Sequence, residues 1–118
     1  MPGFAPEILR QRLLVEGYYT RDVDDHAVEE FLLGVAAHLD LRSYGKPVIF
    51  APAGLGREEH EGYDAFLPLI DSGISVYVWT GPRFVSTVLF TCKAFADDLA
   101  VAYTKDCFGL TDFEHRAF

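Results

Sequence analysis

The stretch that decides the fold is Asp71 to Cys92, DSGISVYVWTGPRFVSTVLFTC. Two β-rich runs, Gly73 to Trp79 and Phe84 to Cys92, flank Thr80-Gly81-Pro82-Arg83, whose glycine and proline form turns, so the segment predicts a β-hairpin. Such a hairpin folds Cys92 back toward Ser72. Ser72 would then stand at the head of one strand and Cys92 at the end of the next.

Outward from this hairpin the chain reads as two similar halves. Gln11 to Tyr19 predicts a first strand, and Asp22 to Leu39 a helix, because Val28, Phe31, Leu32, Val35, Ala36 and Leu39 recur at helical spacing. Asp22 or Asp24 would cap it. A turn at Arg42 to Gly45 leads to a short apolar strand, Pro47 to Ala51. A Gly-rich acidic loop, PAGLGREEHEG, then precedes a strand from Tyr63 to Ile70. Beyond the hairpin, Asp97 to Phe108 predicts a second helix stopped by Gly109, and Thr111 to Phe118 a final strand. The order β-α-β-β then β-β-α-β predicts an α/β (α+β) two-layer sandwich, with helices on one face of a mainly antiparallel sheet. At 118 residues, half of them apolar, one domain with its own core is expected.

Composition narrows the function. A net charge of −8 and the lack of any Lys/Arg cluster argue against nucleic-acid binding and favour a cationic ligand. No apolar run approaches the roughly 20 residues of a membrane span, and MPGFAPEIL lacks signal-peptide regions, so a cytoplasmic protein is expected. Cys92 and Cys107 are too few for a disulfide framework and read as reduced thiols, Cys107 within the core. GLGREE is not a dinucleotide fingerprint, because Glu59 takes the third glycine's place and carboxylates repel a pyrophosphate. Glu58, Glu59, His60 and Glu61 read as a solvated surface run, with no metal site expected. His26, His38 and His115 read as surface histidines.

The runs SGISVYVW and LFTC carry a resemblance. The chain resembles the bacterial-type S-adenosylmethionine decarboxylases, whose signature is Ser-x-Ile-Ser-Ile-His-Thr-Trp followed by a strand ending in Phe-Thr-Cys. The resemblance implies cleavage of the Asp71-Ser72 bond: the serine hydroxyl attacks the preceding carbonyl, the ester is eliminated, and Ser72 becomes a pyruvoyl group. Such a ketone forms a Schiff base with a substrate amine and takes up electrons as carbon dioxide leaves. On this resemblance Cys92 returns the proton. Gly62, Ser75, Trp79, Phe90 and Thr91 also match, Ser75 falling in the processing region and Trp79 and Glu16 near the substrate. The family's processing histidine is Tyr77 here, an ordinarily weak base with a pKa near 10. Gly73 stands for another family histidine and Asp64 for a strand serine that assists processing. These departures imply altered specificity or loss of activity.

Two functions follow as expectations. One is a homodimeric pyruvoyl-dependent decarboxylase of polyamine metabolism, acting on S-adenosylmethionine or on a basic amino acid held by Asp64 or a glutamate of the preceding loop. The other is an unprocessed relative that binds a small ligand or regulates a partner. Bland alternatives stand beside each residue: Ser72 as a turn or cap residue, Cys92 as a small buried side chain, and Tyr77 as a half-buried sheet aromatic. Tyr77 also lies five residues from Ser72, on the opposite face of an ideal strand, so sharing a site requires a break or bend.

Overall fold

The computed structural model describes residues 3–51 and 61–118. The elements are β1 (Gln11–Tyr19), α1 (Asp25–His38), β2 (Val48–Phe50), β3 (Gly62–Leu69), β4 (Ser72–Trp79), β5 (Phe84–Thr91), α2 (Asp97–Phe108) and β6 (Leu110–Ala117). The strands form one six-stranded sheet in the order β2-β3-β4-β5-β1-β6, every neighbouring pair antiparallel. The α+β sandwich expected from the sequence is therefore present, and most boundaries fall within a residue or two of expectation.

Period-two alternation gives each strand two faces. Leu13 and Val15, Ala65 and Leu67, Ile74 and Val76, and Val85 and Leu89 point into a core closed by Val28, Phe31, Leu32 and Val35 of α1 and by Ala100 and Phe108 of α2. Thr87 lies in this core without cost because its hydroxyl donates to the Val15 carbonyl at 2.9 Å. Helix α1 begins three residues later than expected. Asp24 is extended and its carboxylate accepts the Ala27 N–H at 2.8 Å, which leaves Asp22 outside to face Arg83 at 3.6 Å. Helix α2 stops at Gly109, whose φ of 65° lies in the left-handed region. No helix among the described residues is long and apolar enough to cross a membrane.

Among the described residues, the other face of the sheet carries no helix. Cross-strand register aligns its side chains in rows, since directly opposed residues share a face. One row runs Asp64, Tyr77, Ser86, Glu16, Glu114, and the next Phe66, Ser75, Val88, Leu14, Arg116. A third runs Pro68, Gly73, Phe90, Arg12.

Candidate functional site

Strands β3 and β4 are joined by the two residues Ile70 and Asp71, with Leu69 opposite Ser72. So tight a reversal requires a left-handed residue, and Asp71 takes it with φ 54°, a conformation aspartate tolerates better than most side chains. The turn presents the Asp71 carbonyl and the Ser72 hydroxyl to the end of β5. Strand β5 stops at Thr91, one residue short of expectation, because the next N–H leaves the ladder. The Cys92 N–H donates to Ser72 Oγ at 2.9 Å, and Cys92 Sγ–H donates to the Asp71 carbonyl oxygen at 3.0 Å. One residue thus holds both the hydroxyl and the carbonyl that flank the Asp71-Ser72 bond. The amide orients Oγ, and the thiol, a weak donor, polarises the carbonyl.

Ser72 borders two hollows. A cavity of about 400 Å³ lies at the end of the sheet, with Arg42, Asp71, Cys92 and Lys93 in its wall. A second, about 360 Å³, opens on the helix-free face between Phe66, Gly73, Ser75 and Phe90. Through Phe66 and Ser75 it continues into a hollow of about 260 Å³ that reaches Asp64 and Tyr77. A groove therefore runs from Ser72 along β4 to a carboxylate.

Of the other expected site residues, Ser75, Asp64 and Tyr77 line this groove, and Glu16 and Trp79 do not. Ser75 lines it midway. Asp64 is exposed and sits opposite Tyr77, five residues from Ser72, or about 16 Å along the strand. Tyr77 is therefore not brought to Ser72 within one chain, and no bend in β4 brings it there. Glu16 lies two strands further across the same row, its carboxylate accepting the Ser86 hydroxyl at 3.0 Å. Trp79, seven residues from Ser72 and so about 23 Å away, packs against Phe84 at 5.7 Å between ring centroids. It belongs to the far end of the hairpin, away from Ser72.

Gly73 does not enlarge the pocket as its missing side chain suggests. The Phe66 ring fills that space, and a Cβ on Gly73 would meet Phe66 Cε1 and Cζ at 2.5 Å. Glu58, Glu59 and His60 lie outside the described residues. Burial pushes the Cys107 thiol above its ordinary pKa and keeps it protonated, in accord with a core role. Sequence reasoning missed Phe66, Arg42 and Lys93. Phe66 was legible as an outward residue of an alternating strand, whereas only the chain path puts Arg42 beside Asp71.

No protein-family model matches the chain, and no curated protein does. Among solved structures, the chain is similar to the crystal structure of the adenosylmethionine decarboxylase from Aquifex aeolicus VF5. The TM-score is 0.73 at 16% sequence identity, over 94% of this chain and 89% of that one. At this identity the likeness establishes the fold, which is that of an adenosylmethionine decarboxylase-like α+β sandwich.

Proposed function

We propose that the chain is a self-processing, pyruvoyl-dependent decarboxylase that cleaves itself at Asp71-Ser72 and acts on a small cationic amino acid. The observation that carries this reading is the double contact of Cys92 with Ser72 Oγ and the Asp71 carbonyl. Those are the two groups that must react to move the chain from nitrogen to oxygen. The Cys92 amide holds the nucleophile, and its thiol stabilises charge developing on the carbonyl oxygen. A pyruvoyl group at position 72 would supply an electrophilic ketone that accepts electrons during decarboxylation. The same thiol then stands at that position as a proton donor.

The groove supplies binding. Phe66 and Phe90 form its apolar walls near Ser72; Asp64 lies about 16 Å along it, farther than an arginine or ornithine side chain reaches from its α-amine, so its carboxylate would meet such a substrate only in a dimer, at the partner's Ser72 and beside Tyr77. S-adenosylmethionine remains the alternative substrate, with Phe66 and Phe90 as stacking surfaces for its adenine. The same face exposes Tyr18, Val48, Phe50, Phe66, Tyr77 and Phe90, each more than a third accessible, an apolar patch that a second copy would cover. In such a homodimer Tyr77 serves the partner's Ser72.

A second reading, an unprocessed ligand-binding protein, is favoured by one observation: Tyr77 lies out of reach of Ser72 in its own chain. Intact mass under denaturing conditions separates the two. Two fragments, one ending at Asp71, support the enzyme, with Ser72→Ala remaining whole; a wild-type chain still intact after long incubation leaves the binding protein.

A further inference from the structure

The end of the sheet behind Ser72 carries charge that the reaction above does not use. Arg42 and Lys93 both line the 400 Å³ cavity with Asp71 and Ser72, in a chain whose formal net charge is −8. Both are tied by backbone to the scissile bond. The Arg42 carbonyl accepts the Ile70 N–H at 3.2 Å, and Ser43 bridges to Leu69, so this segment runs beside the β3–β4 turn. Lys93 directly follows Cys92, the residue that contacts Ser72 Oγ and the Asp71 carbonyl. The Lys93 ammonium donates to the Asp40 carbonyl at 2.7 Å and to its carboxylate at 3.1 Å, which leaves one of its three N–H groups. The Arg42 guanidinium makes no hydrogen bond or ion pair with the described residues. Before cleavage, the cavity's cations, Arg42 and Lys93, are balanced by Asp40 and Asp71.

Cleavage breaks that balance. Once Ser72 Oγ has displaced the amide nitrogen from the Asp71 carbonyl, the ester is opened by elimination. A general base, the partner's Tyr77, takes the Ser72 α-proton, the C–H electrons form the Cα=Cβ bond, and the Cβ–Oγ pair departs with Asp71 as a new carboxylate. Water later replaces the resulting enamine nitrogen with oxygen and releases ammonia. Full negative charge therefore appears at Asp71 in the elimination step, in a cavity that Arg42 and Lys93 also line. We infer that Arg42 and Lys93 stabilise this departing carboxylate and so accelerate elimination, the second half of processing, more than ester formation. The inference rests on the cleavage proposed above.

Hydroxylamine separates the two steps, because it cuts the ester and not the amide. In Arg42→Gln/Lys93→Met, ester should form at close to the wild-type rate and accumulate, with elimination about ten- to a hundredfold slower, as expected for loss of charged donors at a leaving group. Arg42→Gln alone should slow elimination about tenfold, and Arg42→Lys/Lys93→Arg should restore most of the rate. The contacts removed are exposed, so the fold should survive. Spontaneous cleavage of the double variant at the wild-type rate, or equal loss of ester formation and elimination, overturns this inference alone. A wild-type chain that never cleaves overturns it together with the decarboxylase reading.

Discussion

The ring of Phe66 lies over Gly73, its paired strand carrying it to within 2.5 Å of where a Cβ on that glycine would stand. Glycine is therefore required for contact and not for conformation, and Phe66 occupies the mouth of the groove beside Ser72. Gly73→Ala should push the ring outward, lowering stability by about 1 kcal/mol, the low end for overpacking because the ring borders solvent. Thermal unfolding should show a loss of roughly 4 °C. Adding Phe66→Ala should return most of it, and a fully additive double variant would contradict the contact.

Cys92 can be dissected by the donor it keeps. Cys92→Ser retains a donor toward the Asp71 carbonyl and should process at a comparable rate, whereas Cys92→Ala should slow cleavage by about tenfold, a smaller loss than for a strong oxyanion donor because a thiol donates weakly. Fragment yield over time, read by mass, measures both. Equal rates for Ala and wild type would remove the thiol from processing.

Tyr77 and Ser72 should complement one another between chains. Ser72→Ala and Tyr77→Phe should each stay uncleaved alone, but co-expressed with different tags the Tyr77→Phe chain should be cut, because its Ser72 then meets the partner's Tyr77. No cleavage in co-purified mixed dimers would end the shared-site proposal.

The proposed basic substrate makes Asp64 the residue to test for substrate choice. An exposed carboxylate gains at most about 1 kcal/mol from a cation, whereas one covered by a second copy gains about 1.5 to 3 kcal/mol. Asp64→Asn should therefore lower kcat/KM for arginine or ornithine by about tenfold in the dimer and leave S-adenosylmethionine turnover within threefold. Release of labelled carbon dioxide from each substrate decides it. An equal fall for all of them would show that Asp64 does not select the substrate.

The sheet and helices were legible because their apolar residues keep strict periods: the α1 residues predicted from spacing are all buried, and the hairpin pairs as its turn chemistry requires. The approach of Cys92 to Ser72 followed from that hairpin. What the sequence hid depends on register across three or more strands or on the path of a loop. Nothing in one dimension puts Glu16 on the row of Tyr77, lays Phe66 over Gly73, or routes Arg42 beside Ile70. Trp79 was drawn toward the site by its motif, although seven residues of extended strand carry it to the far end.

Strand order has a consequence for how cleavage would be observed. A cut between Asp71 and Ser72 leaves β1, β2 and β3 in one piece and β4, β5 and β6 in the other, yet the sheet order β2-β3-β4-β5-β1-β6 interleaves them. Strand β1 of the first piece is sandwiched between β5 and β6 of the second, and β3 keeps its full ladder to β4. The two fragments would remain one particle of unchanged mass and hydrodynamic size under native conditions, parting only when the sheet is unfolded. Once parted, reassembly becomes a second-order process, so refolding yield after denaturation should fall on dilution for cleaved protein and stay constant for Ser72→Ala wherever folding of each chain limits recovery.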